Sequence, residues 1–446
     1  MNQAVQSSTE EILIVKDSIT SSKLKISEHD HGGCGAEEGL ISVDQALELM
    51  ISRTRPLATE IILLKDALNR YLAKPIYAEI DLPLFSQSAV DGYAICSGQI
   101  IEINTQFDVI GEIRAGQTVE FELEKGQAVR IFTGSKVPKN TTTVARQEIV
   151  ELDRQNNMIK LTTALKAHAD IRDAGEEISK GQLLADTGQQ LNIGAIASLS
   201  MAGVKQVELY RYPKIAVVIT GDEVAEHVED LSSGKIFDAN TPLIQAWFQL
   251  QIKPVDVMHV QDSAESVSNL LNELKSQYDV IISTGGVSVG DYDFIRPMAL
   301  EQGFEQVFWK VKQKPGKPMF FAQYSHLSNK SNIKSSQTCY LIGLPGNPAA
   351  VYVGMQIYTT TLIQSLQGQS KALNWFSAEL QHDLKMDRRE RFLRMRADVD
   401  QTKIKVKSLA KQQSHMLSNL MFANCIVRIP ENENLSAGDT VYGVFI

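Results

Sequence analysis

The stretch Val280-Ile281-Ile282-Ser283-Thr284-Gly285-Gly286-Val287-Ser288-Val289-Gly290-Asp291-Tyr292-Asp293 decides the fold. An unbroken apolar run passes directly into a loop of small residues, hydroxyls and acids. Two other segments repeat the pattern. Ile215 to Ile219 leads into Thr220-Gly221-Asp222-Glu223, and Tyr340-Leu341-Ile342 leads into Leu344-Pro345-Gly346-Asn347-Pro348. Strands buried on both faces of a parallel sheet read as continuous apolar runs, and ligands of open α/β sheets bind beyond the strands' carboxyl ends. Three such loops in one segment therefore predict a single anion-handling cleft.

Outward from these loops, strand, loop and helix alternate from Lys214 to about Leu366. Val255 to Val260 reads as a strand ending at Asp262, and Ala264 to Lys275 as a helix. Thr241-Pro242 caps and starts a helix over Leu243 to Leu250, with proline at its favoured first position. A further helix runs from Pro348 to Leu366. Alternating βα units predict a parallel sheet with helices on both faces.

The flanking texture differs. Ser42-Val43-Asp44-Gln45 is a capping-box pattern opening the amphipathic run Ala46, Leu47, Leu49 and Met50. A strand-like Glu60 to Leu64 and a helical Lys65 to Ala73 follow. From about Tyr93 to Lys166, β-rich pieces (Phe107 to Ile113, Thr118 to Leu123, Ala128 to Phe132, Val144 to Leu152, Met158 to Thr162) alternate with Gly or Asn turns, and Gln155-Asn156-Asn157 reads as a hairpin tip. This is expected to be a small β domain inserted into the first one, to which Asp170 to Leu184 and the helical Ile193 to Ala202 return. From about Trp375 the chain is again β-rich.

With 446 residues the chain exceeds one hydrophobic core. A net charge of -9 argues against general nucleic-acid or membrane binding, which needs a basic surface. Lysines and arginines do cluster locally, at Lys310 to Lys317 and Arg388 to Arg396. Cys34, Cys96, Cys339 and Cys425 form no CxxC pair, which disfavours a disulfide scaffold or zinc knuckle and fits a reducing compartment. No apolar stretch approaches membrane-spanning length and the polar N-terminus lacks a signal-peptide core, so a cytoplasmic protein is expected. His29-Asp30-His31-Gly32-Gly33-Cys34 has metal-binding residue types, although a flexible glycine-rich extension is the plainer reading.

In the loops, Gly285-Gly286 lets backbone amides approach a ligand, while Ser283, Thr284 and Ser288 add hydroxyl donors, a combination suited to phosphate. The spacing is neither a Walker loop nor a G-x-G-x-x-G fingerprint, which argues against ordinary nucleoside triphosphate hydrolysis. Asp222, Glu223, Asp262 and Asp293 would all lie at strand carboxyl ends. Several carboxylates around a phosphate are unfavourable unless a divalent cation lies between them, and Mg2+ bridges one or two carboxylates to phosphate oxygens. The plainer alternative is that Asp222 and Asp262 cap the next helices. Lys310-Val311-Lys312-Gln313-Lys314-Pro315-Gly316-Lys317-Pro318 is a basic loop stiffened by two prolines, with ammonium groups suited to an oxyanion.

Six ordered motifs carry a resemblance to a known family: Ser88-Ala89-Val90-Asp91-Gly92-Tyr93-Ala94, Arg130-Ile131-Phe132-Thr133-Gly134, Thr220-Gly221-Asp222-Glu223, Thr284-Gly285-Gly286-Val287-Ser288-Val289-Gly290, Lys314-Pro315-Gly316-Lys317-Pro318 and Leu344-Pro345-Gly346-Asn347-Pro348. From about residue 40 to its end the chain resembles the molybdopterin molybdenumtransferases, the MoeA and gephyrin E-domain family. The resemblance implies a multidomain α/β-plus-β protein and a homodimer. Residues 1–38, read as an N-terminal extension, lie outside the resemblance, which implies a discontinuous linker and dimerisation domain (39–90 and 169–205), an inserted β-rich domain (91–168), a molybdopterin-binding α/β domain with a central parallel sheet (206–372) and a C-terminal β-barrel-like domain (373–446). The implied reaction converts adenylylated molybdopterin and molybdate into molybdenum-molybdopterin and AMP, assisted by Mg2+, with a molybdopterin adenylyltransferase as a further partner.

Carried over by position, the resemblance gives catalytic roles to Asp91, Glu223, Asp262, Asp293, Lys310 and Lys314, with Glu223 and Asp262 as metal ligands. Substrate contacts fall to Thr133, Glu177, Thr220, Asp222, Ser283, Gly285, Gly286, Ser288, Pro345, Asn347, Arg394 and Ser414. Asp91 and Thr133 would belong to a face that meets the other subunit's cleft, and Arg394 and Ser414 would complete an oxyanion pocket. The chain departs from the family pattern at Glu177, where Asp is usual, at Gln87 for Asn, at Asn140-Thr141-Thr142 for Gly-Ala-Asp, and at Gln413 for Gly. These departures concern loop geometry more than the reaction. Two other readings stand beside the enzyme: a scaffolding paralogue that binds pterin without turnover, and an unrelated nucleotide-binding α/β protein, which would not explain the flanking β domains.

Overall fold

The computed structural model describes residues 39–446 apart from 99, 118–120, 226–228, 230, 231, 233, 251, 252, 254, 326–337 and 371–372. The His29 to Cys34 cluster, the 1–38 extension and part of the expected 118–123 strand lie outside the described residues.

The central sheet contains β1 (Ile215–Thr220), β2 (Asp256–Val260), β3 (Val280–Thr284), β4 (Glu305–Trp309), β5 (Phe320–Ser325) and β6 (Thr338–Leu344), in the order β2-β1-β3-β6-β5-β4. The strands β2, β1, β3 and β6 run parallel, as their apolar runs predict. The sheet is mixed rather than wholly parallel, because β5 pairs antiparallel with both β6 and β4. No helix separates β4 from β5. The basic loop joins them directly, and a short connection of this kind returns the chain antiparallel.

Side chains alternate across the sheet. Val217, Ile219, Val280, Ile282 and Ile342 face one core, while Ala216, Val218, Ile281 and Leu341 face the other. The first core is covered by α1 (Asn240–Gln249), α4 (Pro348–Gly354) and α5 (Thr360–Leu366); the second by α2 (Ala264–Leu274) and α3 (Ile295–Glu301). Each fully buried aliphatic side chain here contributes about 1.5–3 kcal/mol. Helix α1 begins earlier than its proline suggests: Asp238 Oδ1 accepts from the backbone amides of Asn240 and Thr241, so the aspartate supplies the cap. A π-helical turn, Met355–Thr359, joins α4 to α5 within one helical path.

The N-terminal helix Val43–Arg53 forms its capping box: Gln45 N donates to Ser42 Oγ (3.2 Å) and Ser42 N donates to Gln45 Oε1 (2.9 Å). Its apolar face, Val43, Ala46, Leu47 and Met50, joins the first core of the α/β sheet. Beyond it, Thr59–Leu63 pairs with Gln206–Tyr210. The segment Lys65 to Ala73, read as helical, forms only a 3-10 turn at Leu64–Asp66. Buried Leu64, Ala67 and Leu72 pack there against Leu191, Leu199 and Leu209 instead of forming a helical stripe. The chain runs out through Ile76–Tyr77 and Gln87–Ser88 and returns antiparallel through Ile171–Arg172 and Leu183–Ala185. Between these lies a six-stranded sheet built from Gly92–Ile95, Gln106–Ile113, Gln127–Ile131, Thr143–Arg146, Val150–Asp153 and Met158–Leu161, with Asn157 in a left-handed conformation at the hairpin tip.

At the C-terminus, β7 (Phe376–Leu380), β8 (Glu390–Asp400), β9 (Lys403–Ser408), β10 (Cys425–Ile429) and β11 (Thr440–Phe445) form a barrel in the order β8-β9-β7-β11-β10, closed by pairing of β10 with β8. Closure removes free edges. Gln313–Lys314 of the basic loop adds to the start of β8, tying the barrel to the central domain. Among the described residues no helix is long and apolar enough to cross a membrane.

Candidate active site

The carboxyl ends of β1, β3 and β6 deliver the three small-residue loops to one place, and two adjoining cavities lie between them. One, about 640 Å³, is lined by Thr220, Glu223, Asp262, Asp293, Asn347 and His415 among others. The other, about 360 Å³, is lined by Ser288, Lys314, Lys317, Arg389, Gln413 and Ser414. Gly285, Gly286, Asp293, Gly346 and Asn347 line both. The cleft therefore has an acidic half and a cationic half with a glycine-rich wall between them.

That wall requires glycine. Gly285 has φ +84°, and a Cβ there would lie 2.5 Å from Thr220 Oγ1; Gly286 has φ +67°, and a Cβ would lie 2.7 Å from Ile295. A side chain at either position would strain the backbone and fill the space where the loops meet. Thr220 Oγ1 donates to Thr284 O (3.1 Å), joining the first and second loops. Asn240 Nδ2 donates to Gly346 O (2.9 Å), fixing the third. Asn347 sits at the N-cap position of α4 without a side-chain capping bond, which leaves its amide facing the cleft.

In the acidic half, the helix-capping reading of Asp262 fails. Ser263 caps α2, its Oγ accepting from Ser266 N. Asp262 instead exchanges bonds with Asp222: Asp222 N donates to Asp262 Oδ2 (3.3 Å) and Asp262 N donates to Asp222 Oδ1 (3.4 Å). Burial, and after it the charges of Asp222 and Glu223, hold the Asp262 carboxyl above the ordinary carboxylate range, against the lowering effect of backbone donors. Asp293 Oδ2 accepts from Gly290 N (2.7 Å), pinning the turn of the long loop. Among the described residues there is no cluster of three or more His, Cys, Asp or Glu able to hold a metal by themselves.

In the cationic half, Lys314 Nζ lies 2.9 Å from Asp387 Oδ2, and this pairing holds the Asp387 carboxyl below its usual range. Arg389 is half-buried, with its backbone amide donating to Asp387 Oδ1 (3.1 Å). Sequence reasoning did not single it out; the signal was the Arg388 to Arg396 charge cluster, in which nothing but the barrel geometry selects one member.

The structure thus gathers Thr220, Glu223, Asp262, Asp293, Gly285, Gly286, Ser288, Lys314, Pro345, Asn347 and Ser414 around one cleft, with Asp222 behind Asp262. Other expected residues lie elsewhere. Ser283 and Thr284 are wholly buried in β3, which runs through Thr284, so the loop begins only at Gly285. Lys310 does not line either cavity; its backbone is left-handed (φ +73°) and its ammonium lies 4.2 Å from the Trp309 ring centroid. Arg394 is 1% exposed and stands behind the cavity wall, where Nη2 donates to Lys411 O (3.0 Å) and Gln413 O (3.2 Å). It shapes the turn that carries Ser414 and does not face the cleft. Asp91, Thr133 and Glu177 belong to the outlying lobe and do not line this chain's cleft. Asp91 Oδ1 accepts from Thr133 N (2.9 Å) and Oγ1 (2.8 Å), and these bonds hold its carboxyl below the usual range.

An α/β domain presenting an anion cleft at its strand ends, with a β-rich insertion before it and a closed barrel after it, defines a class of multidomain anion-handling protein. Three family models match in chain order: "MoeA N-terminal region (domain I and II)" over 41–203, "Probable molybdopterin binding domain" over 216–365, and "MoeA C-terminal region (domain IV)" over 377–442. A molybdopterin molybdenumtransferase of Haemophilus influenzae is 33% identical over 90% of this chain and 98% of its own, and one of Staphylococcus epidermidis is 30% identical over 87% and 91%. Crystal structures of the molybdopterin biosynthesis moeA protein of Pyrococcus horikoshii superpose with TM-scores of 0.74 (24% identity) and 0.71 (26%), each covering 91% of this chain and 100% and 99% of theirs; the first shows the shared fold. The chain belongs to the MoeA family of molybdopterin molybdenumtransferases, transferases of molybdenum cofactor biosynthesis.

Proposed function

We propose that the chain inserts molybdenum into molybdopterin, taking adenylyl-molybdopterin and molybdate and releasing molybdenum-molybdopterin and AMP. The observation that carries this reading is the adjacency of the two halves of the cleft. The glycine-rich wall, without side chains at Gly285, Gly286 and Gly346, would let the pterin phosphate and the phosphoanhydride approach the backbone. Lys314 and Arg389 supply cationic donors for a tetrahedral oxyanion beside it, where Arg adds a bidentate fork and Lys a compact charge. Ser288 and Ser414 add hydroxyl donors. Donors pre-set around developing charge are usually the largest catalytic contribution.

The acidic half fits Mg2+ of the kind that keeps several waters and takes its remaining ligands from substrate, and not a cage made by protein alone. Asp262 and Glu223 are the residues that would hold it, and the strain of ionising Asp262 beside Asp222 and Glu223 is what a cation would relieve. When bound it would supply Lewis-acid stabilisation of the scissile phosphoanhydride. Asp293 orients the loop around that bond.

We further propose a homodimer in which Asp91 and Thr133 complete the partner's cleft. Large apolar residues on the linker lobe support it: Ile61 is 66% exposed, Ile193 77% and Met201 53%. Exposed apolar side chains of this size are what a subunit interface would cover. A molybdopterin adenylyltransferase, which would supply the adenylylated substrate, is the further partner of this reading.

The test is incubation of purified protein with adenylyl-molybdopterin, molybdate and Mg2+. One AMP released per molybdenum incorporated supports the reading; no AMP and no active cofactor would sink it.

A further inference from the structure

We infer that Tyr358 and Gln313 form a positioning pair that sets the shape of the lysine loop and thereby the cleft's affinity for an oxyanion. The inference rests on the proposed use of molybdate as substrate.

Neither residue faces the cleft. Tyr358 is fully buried and Gln313 is 1% exposed. The Tyr358 hydroxyl donates to Gln313 Oε1, and Gln313 Nε2 donates to Gly316 O (3.0 Å), closing the turn that carries Lys314 and Lys317. An amide has two chemically different ends, and a hydroxyl that donates to Oε1 leaves Nε2 for the loop. Without that hydroxyl the buried Oε1 has no donor in this arrangement. Turning the amide over would only set Oε1 against the Gly316 carbonyl, so the side chain is held at one end alone and its bond to Gly316 is loosened.

The pair is braced on three sides. Tyr358 lies in the π-helical turn Met355–Thr359, and such turns re-phase the side chains of a helix and are frequent at functional sites. That helix starts at Asn347-Pro348, the third cleft loop, so one rigid element governs both the pterin wall and the lysine loop. Gly316 (φ +87°) sits close to this wall: a Cβ there would lie 3.0 Å from Gln313 Nε2 and 3.8 Å from Pro345. On the other side Gln313 pairs with Glu390 of β8, and Glu390 N donates to Lys312 O (3.2 Å). Arg389 is the neighbour of Glu390, so the same junction sets the separation of the Lys314 and Arg389 cations. Both are positioning residues: they act on the ligand only through groups that line the cavity.

The test is titration of molybdate into the full-length protein, its Tyr358→Phe and Gln313→Leu variants and the double variant, with steady-state kinetics on each. Tyr358→Phe should raise the molybdate Kd and KM about tenfold, as the loss of an ordering bond allows. The KM for adenylyl-molybdopterin and kcat at saturating molybdate should stay within about twofold. In the Gln313→Leu background the phenylalanine substitution should have no further effect, because the coupling runs through the amide. An unchanged molybdate Kd in Tyr358→Phe, an equal rise in both KM values, or additive effects in the double variant would overturn the inference. Should Tyr358→Phe fail to fold, Gln313→Leu must show the same molybdate-selective loss or the inference is overturned. A wild-type protein that binds no molybdate would overturn the underlying substrate reading instead, and the positioning claim with it.

Discussion

Asp222 and Asp262 hold each other at the edge of the cleft, each backbone amide donating to the other's carboxylate at 3.3 and 3.4 Å. Two loops from neighbouring strands are locked by groups of like charge. Because the Asp262 carboxyl is held above its ordinary range, its stabilising contribution is complete at low pH, where it is protonated in both folded and unfolded chains, and is lost as pH rises through its folded value. At neutral pH its ionised form opposes folding. Asp262→Asn should therefore melt at the same temperature as wild type or higher at pH 7, with the difference shrinking toward pH 4. Added Mg2+ should raise the melting temperature of wild type more than that of the variant. Scanning calorimetry at several pH values checks both statements.

Arg389 and Arg394 are five residues apart on one strand and its approach, and the structure gives them different tasks. Arg389→Ala should weaken molybdate binding by about tenfold with little change in melting temperature, since a half-exposed guanidinium on a ligand contributes mainly to binding. Arg394→Met should lower stability by about 1–3 kcal/mol, because it takes the donor from the carbonyl of Gln413 and leaves Lys411 O with Asn419 Nδ2 alone. Calorimetric titration beside denaturant unfolding separates the two.

An arginine of the barrel reaches the N-terminal helix beside the apolar contacts they share in the first core. Arg428 donates to both carboxylate oxygens of Asp44 at 2.8 Å and also to Glu390, which is 9% exposed. Burial raises the Glu390 carboxyl above its usual range, and Arg428 opposes this. Arg428→Met would leave Glu390 buried without its counter-charge and should cost about 3 kcal/mol. Lowering the pH through the folded Glu390 value should recover part of that loss, because the protonated acid no longer needs a counter-charge. Urea unfolding of the variant at pH 7 and pH 5 checks the sign.

If the outlying lobe completes the partner's cleft, Asp91→Asn and Asp262→Asn should each be inactive as homodimers but active when mixed. In a mixed dimer one composite cleft carries both lesions and the other carries none. Refolding the two variants together should restore about a quarter of wild-type activity by random pairing. No recovery in the mixture would place both residues on one subunit's cleft.

The loops at the ends of β1, β3 and β6 were legible from sequence because their signal is local: an apolar run sets the strand, and small residues set the turn. The capping box at Ser42 was legible for the same reason. Lys65 to Ala73 was misread because Leu64, Ala67 and Leu72 have helical spacing, yet they face a core built by residues more than a hundred positions away. Long-range packing overrode the period. The antiparallel β5 escaped notice because a single strand's apolar run carries no direction. Ser283 was placed in the cleft for its hydroxyl, Lys310 for its basic loop and Arg394 by its matched position in the family, and only the tertiary fold sets them apart from the cavities. Arg389 was lost among equivalent charges, and Tyr358 has no local mark that distinguishes it from a core tyrosine.

In the proposed reaction the acids of this cleft perform the chemistry while its glycine-rich wall holds the pterin. This is tested most directly by a single measurement on Asp262→Asn: AMP released from adenylyl-molybdopterin in the presence of molybdate and Mg2+, with pterin binding followed in the same samples by fluorescence. AMP release should fall at least about 100-fold, the scale expected for loss of one pre-set electrostatic group, while pterin affinity stays within about threefold of wild type. Binding and turnover falling together, or turnover unchanged, would contradict the account.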